Sequence, residues 1–416
     1  MREDRAILVG AGEALYMAEL ERLATTLGME VAGVLAQGRR DGTGYLGRGK
    51  REELRALVQE AGASFVVADD ELTASQARVL EGAAGAAVVD RTELIIRIFE
   101  AHARDAASRL EVELADLEYR LPRVKGRNPE LSRLGGGGVT TRGPGEQQLE
   151  YDRRAIRRRM ETINRKLEEE KAARAVRGTR LKKDGPPTVA LVGYTNAGKT
   201  TILNALSGAG RSTRDRLFET LETTTRLVEG GRVNGDGSGA RPDFVVTDTV
   251  GFIRKLPTQL VHSFASTLEA ARDADVRVLC ADASSEELEE EILTVRRTLS
   301  ETLEGGNGST PGPTILCLNK MDLVSAEREA KLSRANPDAV MISALADYEP
   351  LLAQIYRAIA SGRERMEVLI PHADYAAASR LYGTAEIHAQ HNTEAGLWMD
   401  VSMPRSASAK YSPYRV

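Results

Sequence analysis

The sequence predicts a three-part α/β protein. A small N-terminal α/β domain carries an antiparallel helical hairpin (1–183), a central α/β domain follows (184–365), and a small α+β module closes the chain (366–416). Three observations predict this. Short β-rich runs alternate with helical stretches over 5–100 and again over 188–362, two amphipathic stretches between them flank a glycine-dense loop, and the pattern changes once more after 366. The length of 416 residues agrees, since about 150 residues per domain suggests two to four domains.

In the α/β part of the first domain (1–102) the β-runs are AILVG (6–10), EVAGVLAQ (30–37), SFVVADD (64–70) and AAVVD (86–90). The stretches LYMAELERLATTLG and KREELRALVQEAG separate them as crossover helices, so the sheet is expected to be parallel. From Ala103 the reading is helical, with Leu110, Leu114, Leu117 and Leu121 on one face until Pro122 ends the helix. The loop RLGGGGVTTRGPGE (133–146) leads to a second arm whose Leu149, Ile156, Met160, Ile163 and Leu167 lie on a heptad stripe. Two such helices joined by a loop predict the hairpin over 103–183, its second arm about 50 Å long if helical over 150–183. GTRLKKDGPP (178–187) reads as a linker. The central strands are TVALV (188–192), DFVVT (243–247), VRVLC (276–280), TILCLN (314–319) and AVMIS (339–343). GLWMDVSMP (396–404), which carries the single Trp398, reads as a strand of the last module.

Composition narrows the function classes. Cys280 and Cys317 are the only cysteines and both lie in apolar runs, which excludes a disulfide framework and a Cys-rich zinc site. No apolar run approaches 18 residues, so no integral membrane segment is expected, and MREDRAILVGAGEALY reads as a first strand rather than a leader. A cytoplasmic location is expected, free or peripherally at a membrane. Aromatic residues are only 4% of the chain, which argues against a base-stacking platform. The net charge of -4 is unevenly spread: residues 150–183 carry 13 Lys/Arg against 6 Asp/Glu, a net of +7 that leaves -11 for the rest. A polyanionic partner would therefore meet the second arm. Arg153, Arg154, Arg157, Arg158 and Arg159 lie within two turns there, and the bland alternative is a solvated face opposite the apolar stripe.

Gly193, Tyr194, Thr195, Asn196, Ala197, Gly198, Lys199 and Thr200 spell G-x-x-x-x-G-K-T between a β-run and a helical ILNALSG, the strand–loop–helix context a phosphate-binding loop requires. Glycines let backbone N–H groups turn onto phosphates, Lys199 supplies a point charge, and the Thr200 hydroxyl is a Mg²⁺ ligand. Two near matches fail. Gly44 to Lys50 has the spacing but Arg51 in place of the hydroxyl, and Gly10-Ala-Gly12 lacks the third glycine of a dinucleotide fingerprint because Leu15 stands there.

Three further motifs follow in the order a guanine-nucleotide switch needs. Asp248, Thr249, Val250 and Gly251 end a strand, placing a carboxylate for the Mg²⁺ shell and an N–H for the γ-phosphate. Asn319, Lys320, Met321 and Asp322 end another, where the Asp322 carboxylate would accept from guanine N1–H and the 2-amino group, which adenine cannot offer. Ser343, Ala344 and Leu345 can place a backbone N–H on guanine O6. Between them, Phe218, Glu219, Thr220, Leu221 and Glu222 fall in a Thr-rich first switch, where Thr220 is expected to complete the metal shell and Thr224 is the alternative. The central domain is thus expected to be a Ras-like P-loop GTPase, with Lys199, Thr200, Thr220 and Gly251 acting in hydrolysis and Mg²⁺ with GTP or GDP bound.

GYTNAGKT, FETLETTTR (218–226), DTVGFIRKLP (248–257), HSFASTLEAARDAD (262–275) and NKMD together resemble the HflX family of translational GTPases. The resemblance continues upstream through YLGRGKREEL (45–54), DDELTASQARVLE (69–81), VVDRTELIIRIF (88–99), LEVELADLEYRLPR (110–123) and TRGPGEQQLEYDRR (141–154), so it covers most of the chain. It implies a monomer that binds the large ribosomal subunit and its ribosomal RNA and splits or rescues stalled ribosomes. A ribosome-assembly or signalling switch and a nucleotide-driven RNA-remodelling protein are the alternatives. Departures are Glu222-Thr223 where the family has Asp-Pro, Gln147 for a small hydroxyl residue, the GGGGV loop (135–139), and an inserted NGDGSGARP (234–242). Phe252 stands where many related GTPases place a water-orienting glutamine, so slow hydrolysis by the free enzyme is expected. Asn196 resembles the asparagine that recruits K⁺ in some relatives; bracing the switch loops is its other reading. His388 and His391 read as a surface pair rather than a metal site.

Overall fold

A computed structural model describes the chain apart from residues 1–3, 13–15, 104, 127–143, 183–185, 209–223, 231–240, 256–269, 304–311 and 405–407. Contacts divide the chain into two compact units. One holds the described residues up to Glu170 together with Ile253, Arg254 and Lys255, and the other holds the remaining described residues.

In the first unit β1 (Arg5–Ala11), β2 (Glu30–Gln37), β3 (Phe65–Ala68) and β4 (Ala87–Asp90) form a parallel sheet in the order β2-β1-β3-β4. Six of the seven β1 residues are buried, as expected of a parallel strand covered on both faces. Helices α1 (Met17–Thr26), α2 (Arg48–Ala61), α3 (Ala74–Ala84) and α4 (Arg91–His102) supply the cover, with α2 packed beside α3 and α1 beside α4. Leu54, Val58 and Leu80 share a core with Ile7, Val9 and Val66. Helix starts follow side-chain capping: Thr73 and Gln76 form a reciprocal capping box, and the Asp90 carboxylate accepts from Glu93 N at 2.9 Å. The strand order reverses between β1 and β3, which makes the C-terminal ends of those two strands the switch point of this sheet.

Helix α5 (Ala106–Arg120) and the 39-residue α6 (Pro144–Lys182), about 58 Å at 1.5 Å per residue, form the hairpin arms. Leu114, Ile163 and Leu167 are buried between them, flanked by Leu110, Leu117 and Met160. Leu149 and Ile156 are only half-buried, so the seam is shorter than the heptad stripe. The expected linker from 178 is corrected: α6 runs on through Gly178 to Lys182, where good helix formers on both sides offset about 1 kcal/mol of glycine penalty. Residues 127–143, most of the glycine-dense loop, lie outside the described residues.

In the second unit β5 (Thr188–Gly193), β6 (Thr224–Val228), β7 (Phe244–Asp248), β8 (Val276–Asp282), β9 (Thr314–Asn319) and β10 (Val340–Met341) form a sheet in the order β10-β9-β8-β5-β7-β6. All neighbours are parallel except β6, which pairs antiparallel with β7. Strand β6 falls in a segment whose Thr content read as switch loop, and β10 is shorter than 339–343 because a Ser343–Asp347 turn takes over. Helices α7 (Lys199–Leu206), α8 (Leu288–Leu303), α9 (Ala326–Ala335) and α10 (Glu349–Ser361) connect these strands, and Ile202 and Ile355 meet Leu191, Val246 and Val278 in the core.

The chain then passes directly into β11 (Arg363–Ile370), which with β12 (Glu386–Thr393) and β13 (Gly396–Pro404) forms an antiparallel sheet in the order β11-β13-β12. Helix α11 (Tyr375–Thr384) packs Ala377, Ala378 and Leu381 on Val368, Met399 and Val401. On the other face the Arg365 guanidinium forks onto Asp400 at 3.0 and 2.6 Å. His388 and His391 lie on strand β12 rather than near a helical turn, both exposed, and His391 stacks on Trp398 at 4.6 Å. No described helix is long and apolar enough to cross a membrane.

Candidate functional site

Strand β5 is central, with β7 on one side and β8 on the other, and the loop leaving its C-terminal end turns into α7. Such a switch point is where open α/β sheets bind ligands. Two residues of the loop take left-handed backbone, Asn196 at φ 63° and Gly198 at φ 86°. At Gly198 the requirement is absolute, because a Cβ would stand 2.2 Å from Asn319 Nδ2.

Asn319 closes β9 and is buried. Its Nδ2 donates to Ala197 O at 3.0 Å and its Oδ1 accepts from Ala344 N at 3.0 Å, so one side chain ties the phosphate loop to the loop after β10. Of the Ser343–Leu345 segment expected to place a backbone N–H on guanine O6, the Ala344 N–H is engaged by Asn319 in this structure. Asp322 takes a 2.6 Å bond from Ser343 Oγ, which orients its carboxylate. Lys320 is left-handed at φ 64° and its Nζ meets Asp282 Oδ2 at 2.8 Å. Asp282 was not among the sequence candidates; its position at the end of a β-run beside the base motif was the available signal.

Thr200 Oγ1 donates to Asp248 Oδ2 at 2.7 Å, bringing together the two groups expected around Mg²⁺. The buried Lys199 ammonium donates to Gly193 O at 3.1 Å and Tyr194 O at 2.8 Å. Burial pulls its pKa below the ordinary lysine value, with the Asp248 carboxylate working in the opposite direction. The Thr195 hydroxyl is buried with no hydrogen-bond partner among the described residues. A desolvated ammonium donating to two backbone carbonyls, a buried hydroxyl without a partner among the described residues and a Thr–Asp pair are what a phosphate chain with its magnesium ion would complete. Thr249 Oγ1 donates to Leu191 O at 2.7 Å, anchoring the turn that carries Val250 and Gly251. Phe252 pairs with the phosphate loop: Phe252 N donates to Gly193 O at 3.0 Å, and Thr195 N donates to Phe252 O at 2.8 Å.

Every candidate of the phosphate loop, the Asp248–Gly251 turn and the base motif is thus gathered at the C-terminal edge of one sheet. Met321 is half-buried and Leu345 is exposed. Phe218, Glu219, Thr220, Leu221 and Glu222 lie outside the described residues, whereas Thr224, the alternative metal ligand, sits in β6 in register with Asp248.

Three family models match: a GTP-binding GTPase N-terminal region over 14–100, a GTP-binding GTPase middle region over 102–180, and a 50S ribosome-binding GTPase over 188–320. The GTPase HflX of Caldanaerobacter subterraneus subsp. tengcongensis is 45% identical over 330 residues, 77% of this chain and 73% of that one. The GTPase HflX of Alkalihalophilus pseudofirmus is 43% identical over 342 residues, 81% and 76% of the two chains. Among solved structures, a complex of SsGBP with GDP aligns with 86% of this chain and 98% of its own at 23% identity and a TM-score of 0.47.

Proposed function

The chain belongs to the HflX family of GTPases, and from that membership we propose that it couples GTP hydrolysis to binding the large ribosomal subunit and splitting or rescuing stalled ribosomes. The observation that carries the ribosomal part is the basic face of α6. Arg154, Arg157 and Arg158 are exposed there, and clustered guanidinium groups suit RNA phosphates. Arg159 contributes less, because its guanidinium forks onto Glu113 at 2.6 and 2.7 Å within the hairpin.

At the nucleotide site Lys199 would reach the β- and γ-phosphates, backbone N–H groups at the start of α7 would cradle them, and the Gly251 N–H would read the γ-phosphate. Thr200, joined by Thr220 in the GTP state, would hold Mg²⁺, with the Asp248 carboxylate supporting it through water. When bound, the ion neutralises charge on the transferred phosphoryl group. Asp322, oriented by Ser343, selects guanine over adenine by leaving adenine's edge unmatched. The buried ring of Phe252 cannot orient a water by hydrogen bonding, so full activity waits on the ribosome. Asn196 is the residue through which K⁺ would add to this rate.

Pelleting with large subunits tests the reading. Co-sedimentation is expected with a non-hydrolysable GTP analogue and much less with GDP. Ribosome profiles in the presence of GTP are expected to lose 70S particles. Binding without any loss of 70S particles would favour an assembly or signalling switch, and equal binding in both nucleotide states would refute the proposal.

A further inference from the structure

The nucleotide motifs occupy the C-terminal ends of the central strands. Between the opposite ends of β8 and β9 and the later turns of α8, the same unit holds a cavity of about 310 Å³. Leu279 and Leu316, in register on the two strands, and Leu299 of α8 give it apolar walls. Arg277 and Thr314, in register at the strand starts, line it together with Arg296 and Ser300 of the helix. Asp282 and Asn319, beside the base motif, end the same two strands about 17 Å away at 3.3 Å per residue, so the cavity is separate from the nucleotide site.

Arg277 is the unusual member of this group. It interrupts an otherwise apolar strand start and is 3% exposed, a position in which a charged side chain needs partners. Its Nε donates to Thr314 Oγ1 at 3.1 Å, its Nη2 to the Gly312 carbonyl, and its backbone N to Pro313 O at 2.9 Å. Gly312 is itself pressed against β8, since a Cβ there would stand 2.1 Å from Asp275 O. The guanidinium is thus clamped in place rather than free to swing out to water. Its Nη1 is covered from solvent and has no hydrogen-bond partner among the described residues. Asp275, two residues away, does not serve it: that carboxylate accepts from Thr188 N at 2.8 Å and from Thr188 Oγ1 at 2.9 Å. Burial lowers the Arg277 pKa from the ordinary arginine value, and no acid opposes that effect.

A buried guanidinium N–H without a partner is rare in folded proteins and calls for an acceptor, preferably an anionic one. The leucine walls call for an apolar body on the same molecule. The cavity volume is at the small end of ligand sites, which fits a body of a few carbons. A carboxylate matches the available donors. Arg277 Nη1 faces one need, the Thr314 hydroxyl accepts from Arg277 Nε and keeps its own proton to donate, and the exposed Arg296 adds a second guanidinium. A phosphate dianion would leave oxygens against leucine, where nothing can donate to them.

We propose that this cavity binds a small carboxylate with an apolar body, its carboxylate held by Arg277 and Arg296 and its body against Leu279, Leu299 and Leu316. The site is distinct from the phosphate loop and takes its ligand while guanine nucleotide is bound.

The test titrates full-length protein, saturated with GDP so that the phosphate loop is occupied, and follows leucine methyl signals by NMR. Hexanoate, hexanamide and inorganic phosphate are the probes. Hexanoate is expected to shift the Leu279, Leu299 and Leu316 methyls saturably, and hexanamide, which lacks the charge, to bind about tenfold more weakly. Inorganic phosphate is expected to leave these methyls in place. Arg277→Met should abolish the hexanoate shifts. Arg296→Gln, at an exposed position, should weaken hexanoate binding roughly threefold to tenfold, and it reports even if Arg277→Met folds poorly. No saturable shift with hexanoate, equal affinity for hexanoate and hexanamide, a phosphate response as strong as that of hexanoate, or unchanged binding in Arg296→Gln would each overturn the proposal.

Discussion

Replacing Asn319 by alanine removes both halves of the bridge between the phosphate loop and the loop after β10. The Ala197 carbonyl and the Ala344 N–H are left without their partner, and both residues are buried, at 1% and 7% exposure. An unsatisfied buried group costs about 1–3 kcal/mol, so the pair gives about 2–6 kcal/mol before relaxation. Admission of water at the less buried Ala344 brings the expected cost to about 3 kcal/mol, or about two orders of magnitude in a local opening equilibrium. Amide hydrogen exchange on nucleotide-free protein reads this directly, because the Ala344 amide reports one of the two lost bonds. Its exchange is expected to accelerate about a hundredfold, together with amides of the phosphate loop. The reasoning fails if the Ala344 amide exchanges at the wild-type rate while GDP affinity falls. Asn319 would then act by touching nucleotide alone, and the bridge would carry no energy.

Three further outcomes are expected. Gly198→Ala forces a Cβ to 2.2 Å from Asn319 Nδ2 at φ 86°, strain of about 1–3 kcal/mol, and should weaken GDP binding at least about fivefold by equilibrium titration. Replacing Arg154, Arg157 and Arg158 with Gln should reduce the slope of log affinity for large subunits against log salt by up to about two to three, whereas Arg159→Gln should chiefly loosen the hairpin, since Arg159 is paired with Glu113. Arg365 holds the Asp400 carboxyl below the ordinary aspartate value of 3.8. The pair's contribution to stability is therefore fully present above that value and lost as pH falls through the lowered one, and Trp398 fluorescence should lose this acid-sensitive step in Arg365→Met.

Much of the fold was legible because its signals are local. The ranges EVAGVLAQ, TILCLN and GLWMDVSMP match β2, β9 and β13 residue for residue, since each is an apolar-rich run bounded by polar or turn residues. Strands β11 and β12 were not legible. RERMEVLI and EIHAQHNT carry charged and polar residues on an open face, and β12 is broken by a bulge between Ile387 and Ala389, so only pairing with β13 defines them. Strand β6 was masked by its threonines, and the 178–182 segment by a glycine that the flanking helix overrides.

By itself the sequence indicated where nucleotide chemistry is to be expected. The proposed phosphate loop, magnesium-side aspartate and base-reading aspartate are short motifs read from spacing within a few residues, and the basic charge of the second arm is likewise a local feature. Only the tertiary structure decided which of those groups are already engaged. Arg159 is paired with Glu113, the Ala344 N–H with Asn319, and Lys255 with two aspartates 185 and 186 residues away. Arg159 meets Glu113 because α6 folds back on α5, and the other partners meet because the fold brings residues far apart in the chain to the end of one sheet. The energy of an ion pair or a buried hydrogen bond depends on that geometry and on desolvation, neither of which is written in local composition.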